Sequence, residues 1–214
     1  MHRVKTSDAA AAPDPAKTSG AGRPYDRSID DVILTATLDL LAERDYERLT
    51  LDEVAARTGK AKTTLYRRWA TKEDLVLAAV RAAGRPPEAD RLPDLGSLRA
   101  DLLAVVDSSW LGGTERRMSI FSGLSSANRS SERLAAFVRA EVTEPYVGIY
   151  RRILRRSIDR GEVSADLISR ASVLADVIPA MSTHRLTASS EPVHRDFFVA
   201  VVDDVVLPAL GLRG

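Results

Sequence analysis

The chain has 214 residues, a net charge of +1 at neutral pH, 44% hydrophobic residues and no cysteine. The missing cysteine excludes disulfides, thiol catalysis and cysteine metal sites. No apolar run approaches the ~20 residues of a membrane span, and the N-terminus has no apolar segment like a secretion signal. We therefore expect a cytoplasmic globular protein of one or two domains.

Residues 1–24 are rich in alanine, proline, serine, threonine and glycine, which predicts a disordered basic arm. The tripeptide Gly22-Arg23-Pro24 resembles the core of an AT-hook, in which an arginine enters a narrow minor groove. Arg23 is therefore a candidate DNA contact. The alternative is a passive flexible tail.

Two short helices joined by a tight turn are predicted after a first helix over residues 27–44, where apolar residues recur at helical spacing. Thr50 and Glu53 have the spacing of a capping box, which marks a helix start. Gly59 predicts the turn, because glycine accepts backbone angles that other residues avoid. The second short helix covers about residues 62–69.

That helix has a narrow apolar stripe, Leu65 and Trp69, while its other faces carry basic, hydroxyl and aromatic side chains. A short helix of this kind suits insertion into a DNA major groove. Six basic residues and no acid lie between Arg57 and Lys72, a patch that would neutralise phosphates. The alternative is a solvated basic face. The candidate DNA contacts are Thr50, Lys60, Lys62, Thr63, Thr64, Tyr66, Arg67, Arg68 and Lys72.

The segment over residues 29–80 resembles the DNA-binding domain of the tetracycline-repressor (TetR) family. The most specific part is TLYRRW at 64–69 followed by KEDL at 72–75. The resemblance implies a helix-turn-helix regulator that represses by occluding its operator. It also places six residues on positions that usually touch DNA: Thr50, Lys62, Thr63, Tyr66, Arg67 and Lys72. Two positions depart from the family pattern, since Lys60 replaces a small apolar residue and Ala61 a helix-capping serine.

A helix over residues 72–83 is predicted to begin at Thr71, with Asp74 as its capping partner. Residues 84–96 then contain three prolines, which marks a boundary between a DNA-binding domain (25–83) and a regulatory and dimerisation domain (97–214). Helices are predicted in the second domain over residues 97–110, 115–127, 131–160, 165–183 and 193–210. Pro145 predicts a kink in the third of these, because proline removes a helical hydrogen bond.

The last predicted helix has an apolar surface wider than one core-facing side needs, at Phe198, Val201, Val202 and Val205. We expect these four residues to form the interface with a second copy of the chain. A homodimer suits DNA recognition, because two copies related by a two-fold axis would bind a palindromic operator. Valine-rich sequence also fits a buried strand, but the chain contains no other convincing strand.

Aromatic and methionine side chains of the second domain are candidates for the lining of a small-molecule cavity, although each also fits an ordinary core. They are Trp110, Met118, Phe121, Phe137, Tyr146, Tyr150 and Met181. The turn at Pro145 is the expected wall, since Tyr146 and Tyr150 follow it. The family resemblance implies a cavity in this region but assigns no particular residue.

The sequence contains few residue patterns that are typical of catalytic or metal-binding sites. His184 and His194 flank a predicted loop, but no further ligand has matching spacing, and no serine has the context of a nucleophile. The sequence thus predicts no enzyme, cofactor or metal site. It predicts an all-α, two-domain DNA-binding regulator that acts as a homodimer and is released by a small ligand. The alternatives are a regulator without a small ligand and an enzyme that retains a helix-turn-helix.

Overall fold

The computed structural model describes residues 27–87, 92, 94–127, 131–188 and 192–213. The predicted arm over residues 1–24, with Arg23, lies outside them. Every regular element in the described part of the chain is helical, which confirms the all-α class. Within the same residues, no helix is both long and apolar enough to cross a bilayer.

The N-terminal region contains four helices: α1 (Arg27–Glu43), α2 (Leu51–Thr58), α3 (Lys62–Arg68) and α4 (Lys72–Ala82). A short 3-10 turn at Tyr46–Arg48 connects α1 to α2. Helix α1 packs against α2 and α4, and α2 packs against α3. The fully buried side chains at these contacts include those of Ile33, Leu41, Val54, Leu65 and Leu75.

The C-terminal region contains α5 (Leu98–Val106), α6 (Thr114–Ser125), α7 (Glu132–Val138), α8 (Glu144–Asp159), α9 (Ile168–Ala188), α10 (Arg195–Val201) and α11 (Leu207–Ala209). Helix α9 packs along α8, and α5 contacts both α8 and α10. The buried side chains of the N-terminal and C-terminal regions form one continuous hydrophobic core.

The expected irregularity near Pro145 is a π-helical turn at Arg139–Thr143, where the Glu144 N–H reaches the Arg139 carbonyl five residues back. A second π turn, at Val202–Val206, precedes Pro208 at the same distance. Proline cannot donate to the carbonyl four residues before it, and its ring crowds that carbonyl. The wider turn relieves both problems, so each helix continues through its proline.

The two regions meet where α1 crosses α6, the most extensive contact between any two helices of the described chain. Gly123 makes this approach possible, because a Cβ at that position would lie 2.1 Å from the Leu41 carbonyl oxygen. Ion pairs reinforce the junction. Arg116 of α6 lies 2.6 Å from Asp39 of α1, and Arg133 of α7 contacts both acids at the start of α4, at 2.8 and 3.0 Å.

Candidate nucleic-acid interface and adjoining cavity

The predicted helix-turn-helix geometry is present in α2, the turn and α3. The Thr50 hydroxyl accepts a hydrogen bond from the Glu53 N–H, while the Glu53 carboxylate accepts one from the Thr50 N–H, each at 3.2 Å. Gly59 ends α2 with φ 64° and ψ 20°, in the left-handed region. That conformation lets its N–H and that of Lys60 bond to α2 carbonyls, which reverses the chain within two residues.

Helix α3 has the predicted inward and outward faces. Leu65 is fully buried and Trp69 is 8% exposed, so this stripe anchors the helix. Tyr66 is 52% exposed, and Lys62, Thr63 and Arg67 are exposed beside it, while Thr64 is half-buried. No side chain caps α3, because its N-cap residue is Ala61. The outward face therefore presents an aromatic ring, a hydroxyl and two cations to a groove.

The basic patch is less positive in three dimensions than in the sequence. Arg57 donates two hydrogen bonds to Glu43, at 2.7 and 2.9 Å, which lower the pKa of that carboxyl. The Lys62 ammonium lies 2.5 Å from Asp52. Both acids come from other helices, so a count along residues 57–72 misses them. Exposed ion pairs contribute little to stability, so DNA phosphates would displace these carboxylates at small cost.

Arg68 departs from the prediction that it contacts DNA. Its side chain is 7% exposed and forms an ion pair of 3.0 Å with Asp30 of α1, whose side chain is 13% exposed. The residue faces the interior because it follows the buried Leu65 by three positions on the same side of a short helix. The ion pair of Arg68 with Asp30 therefore joins α3 to α1.

Lys72 is partly committed to the fold. Its ammonium donates to the Tyr46 carbonyl at 2.8 Å and lies 4.2 Å from the centre of the Tyr46 ring. A weaker contact of 3.4 Å reaches the Glu47 carbonyl, which leaves one ammonium hydrogen for a phosphate. Thr71 caps α4 by accepting from the Asp74 N–H, at 3.0 Å, as predicted.

Arg48 is a further candidate contact that the sequence patterns did not single out. It is exposed on the 3-10 turn that Lys72 holds, two residues before Thr50. Like Lys60 and Arg67, it forms no ion pair with a described residue. Its nearness to a helix start was the available clue, since phosphates favour that position.

A cavity of about 340 Å³ lies in the C-terminal region between α6, α7, α8 and α9. Its volume falls in the range of small-molecule pockets, roughly 300–1,000 Å³. Four predicted residues line it: Met118, Phe121, Tyr146 and Tyr150. The π turn before Pro145 supplies Arg139, Val142 and Thr143, so the wall expected at this turn is present.

Three residues predicted to line the cavity do not. Trp110 and Phe137 border a separate crevice beside α4, and Met181 is 37% exposed on the outer face of α9. Trp110 supports the wall from behind, because its ring centre lies 6.0 Å from those of Phe121 and Tyr146. Sequence spacing places residues on a helix face but does not distinguish the first layer around a cavity from the second.

The sequence patterns also did not predict the polar groups of the cavity. Arg117, a residue that is 3% exposed, lines the cavity together with hydroxyls from Thr143, Ser182 and Thr183. Burial raises the pKa of both Tyr146 and Tyr150 further above neutrality, which favours their protonated hydroxyls. The cavity is therefore mainly apolar, with one buried cation and neutral hydrogen-bonding groups.

The prediction for the dimer interface needs correction. Phe198, Val201 and Val202 are each less than 5% exposed within the single chain, and Phe198 lines the cavity. Val205 alone of the four predicted residues is exposed, at 38%. The apolar surface of the last helix is wide because α5, α9 and the cavity surround it, so no partner chain is required to cover it.

The two C-terminal histidines have different surroundings. His194 pairs with Glu115 at 2.7 Å, and His184 is exposed on α9. In the described part of the chain, no three histidine or acidic side chains are grouped as metal ligands would be.

Comparison with known proteins matches both regions. A family model described as bacterial regulatory proteins of the tetR family matches residues 33–79, and one described as the tetracyclin repressor-like C-terminal domain matches residues 92–205. An uncharacterized HTH-type transcriptional regulator of Mycobacterium tuberculosis is 34% identical over 203 residues, which cover 91% of this chain and 96% of that protein.

Two further proteins extend the comparison. The DNA-binding transcriptional repressor TetR of Mycobacteroides abscessus is 33% identical over 175 residues, which cover 82% of this chain and 90% of that protein. The fold is shared with AibR, solved in complex with isovaleryl coenzyme A and operator DNA, at a TM-score of 0.55 and 17% identity over 81% of this chain and 95% of that chain. The chain belongs to the tetracycline-repressor family and is a DNA-binding transcriptional regulator.

Proposed function

We propose that the chain is a homodimeric repressor that acts in the cytoplasm, occludes a palindromic operator and leaves it when a small molecule fills the cavity. The observation that carries DNA recognition is the outward face of α3. Tyr66 and Arg67 project from a helix that is anchored by Leu65 and Trp69 and leads directly into α4. Such a helix fits a major groove, with Lys60, Lys62 and Lys72 directed at phosphates.

The release mechanism is supported by what the cavity walls touch. Met118, Phe121 and Leu124 line the cavity from α6, and Gly123 of the same helix lies against the end of α1. Val138 lines it from α7, whose Arg133 holds the two acids at the start of α4. A ligand that moves α6 or α7 would thus reorient α1 and α4, and with them α3. A coupling of about 1–3 kcal/mol would change DNA affinity roughly 5- to 150-fold.

The dimer surface that best fits the exposed residues is the outer face of α9 together with Val205. Val173 is 68% exposed, Met181 is 37% exposed and Val205 is 38% exposed. Val173, Val177 and Met181 follow one another at a spacing of four, so they share one side of the helix. We expect the double variant Val173→Glu, Val205→Glu to sediment as a monomer. Val32→Glu, at an exposed valine of α1, is the control and should remain dimeric.

DNA recognition is tested by the affinity of the full chain for its own promoter. Tyr66→Ala and Arg67→Ala remove exposed side chains, so the fold should persist while affinity falls by about tenfold or more, the discrimination of one good base contact. Arg151→Ala is the matched control, because Arg151 is an exposed arginine of α8. Equal affinity of all three variants and the wild type would overturn the assignment of α3 as the recognition helix.

A regulator without a small ligand is the second candidate. A filled core would favour it, whereas the 340 Å³ cavity favours the ligand-responsive form.

A further inference from the structure

The charged residues that line the cavity indicate which class of ligand it would bind. Among the described residues that line the cavity there are two arginines, Arg117 and Arg139, and no carboxylate. Arg139 has a side chain that is 61% exposed and lies 3.9 Å from Glu132, so it is solvated. Arg117 is 3% exposed. The electrostatic character of the interior is therefore determined mainly by Arg117.

The guanidinium of Arg117 is held mainly by carbonyl groups at the end of α5 and just after it. Its Nη2 donates to the Val106 carbonyl at 2.7 Å, and its Nη1 donates to the Ser108 carbonyl and hydroxyl at 3.2 and 3.1 Å. These groups carry partial charges, so they orient the guanidinium without neutralising it. No carboxylate of the described chain lies within ion-pair distance of it. Asp107 is near enough to have its pKa lowered, but the larger cause of that shift is the hydrogen bond from Arg195.

Two groups remain available to a ligand at this end of the cavity. The Nε of Arg117 makes no hydrogen bond to a described residue, and Nη2 has a second hydrogen besides the one given to Val106. The edge formed by Nε and Nη2 is the one that Arg99 and Arg195 use elsewhere in this protein to bind carboxylates with two hydrogen bonds. The Tyr146 hydroxyl is buried and makes no well-directed hydrogen bond, although Ser108 lies close by.

The remaining lining is mainly apolar, with neutral hydroxyls from Thr143, Ser182 and Thr183. Met118, Phe121, Leu124 and Ile178 are among the apolar side chains that line the cavity. A buried charge without a counterion is costly, so a ligand that brings a negative group to this end is favoured over a neutral one. A cation would add a second positive charge to a space that already holds one.

We propose that the cavity takes an amphipathic monocarboxylate, with its carboxylate bound by Arg117 and Tyr146 and its apolar body among the side chains of α6 and α9. This inference rests on the proposed ligand-responsive function and specifies its ligand class. Charge-assisted hydrogen bonds contribute about 1.5–3 kcal/mol net, which corresponds to roughly a ten- to hundredfold preference for a carboxylate over a neutral group of similar size.

The test uses three probes of equal chain length, decanoate, decanol and decylamine, titrated calorimetrically into the full-length dimer. We expect decanoate to bind at least tenfold more tightly than decanol, and decylamine to bind most weakly. Tyr146→Phe should weaken decanoate several-fold and leave decanol unchanged. Thr187→Val is the control, because the Thr187 hydroxyl already bonds to carbonyls of its own helix. Arg117→Gln should remove the preference for decanoate over decanol. This variant also loses contacts to α5, so if it does not fold, Tyr146→Phe is the variant that tests the carboxylate site.

Decanol or decylamine binding as tightly as decanoate would overturn the inference, as would binding of none of the three. An unchanged preference in Tyr146→Phe would overturn the assigned position of the carboxylate. Release of promoter DNA is measured separately in the same titrations. If decanoate binds with the expected preference and the protein stays on DNA, the ligand class stands and ligand-induced release fails.

Discussion

Replacing Gly123 by alanine perturbs the junction between the DNA-binding and regulatory regions with a single methyl group. The added Cβ would lie 2.1 Å from the Leu41 carbonyl oxygen and 2.7 Å from that of Arg44, whereas ordinary contacts begin near 3.4 Å. Both obstacles are backbone atoms, so no side chain can rotate away. Helices α1 and α6 must therefore separate by roughly 1 Å, which moves the recognition helix relative to the cavity.

The expected change in the free energy of unfolding follows from two opposing effects. Gly→Ala inside a helix normally stabilises by about 1 kcal/mol. Overpacking of a close contact costs about 1–3 kcal/mol, occasionally more, and the clash here is at the severe end. We therefore expect Gly123→Ala to be destabilised by about 1–2 kcal/mol. Gly148→Ala is the matched control, because Gly148 is also helical and a Cβ there would meet nothing within 4 Å. It should be stabilised by up to about 1 kcal/mol.

Urea unfolding measures the stability of both variants at one fixed protein concentration, since the stability of the proposed dimer would depend on that concentration. Trp69 lies in the N-terminal region and Trp110 in the C-terminal region, so tryptophan fluorescence reports both. Operator affinity should fall in Gly123→Ala and stay unchanged in Gly148→Ala. If the two variants were equally stable and bound DNA equally well, the close approach of α1 to α6 would not be the coupling contact.

Four further outcomes are expected. Ala61→Ser should give α3 a side-chain cap and raise the free energy of unfolding, measured by urea titration, by about 0.5–1 kcal/mol; an unchanged free energy of unfolding would contradict the view that the missing cap costs stability. Arg68→Ala should destabilise the fold by about 3 kcal/mol, because it leaves Asp30 buried without its partner, and a loss of DNA affinity at full stability would refute that structural role. Lys72→Ala should weaken binding to all DNA sequences alike and lessen its salt dependence, and a sequence-selective loss would contradict a phosphate contact. Burial alone would raise the pKa of Asp101, but hydrogen bonds from the Leu95 N–H and two arginines lower it overall. The carboxylate of Asp101 should thus stabilise the fold above about pH 4 and lose this effect as the pH falls below that value. In urea unfolding measured across pH, Asp101→Asn should lack this loss of stability in acid. A pH profile equal to that of the wild type would contradict the role of Asp101.

The N-terminal region was predictable because its determinants are local. Capping at Thr50, the left-handed Gly59 and the stripe of Leu65 and Trp69 each involve residues within a few positions of one another. Helix bounds there agree with the pattern to within one residue at most ends. The ion pair of Arg68 was not predictable, because its partner Asp30 lies far away in sequence on α1.

The C-terminal region was less predictable because its determinants are distant contacts. Val201 and Val202 are apolar whether a partner chain or α5 covers them, so their composition does not distinguish an interface from a core. Pro145 indicated an irregular turn but not its π-helical form. Arg117 gave no sign of being buried, because its partners are carbonyl groups, which every residue possesses.

The most direct test of DNA recognition by α3 is a hydroxyl-radical footprint of the full-length protein on its own promoter. The wild type and Arg151→Ala should protect two segments whose centres are one helical turn apart, about 34 Å, or a multiple of it. The double variant Tyr66→Ala, Arg67→Ala should remain folded and give no such protection at the same concentration. An unchanged footprint with that variant would contradict the proposed mode of binding.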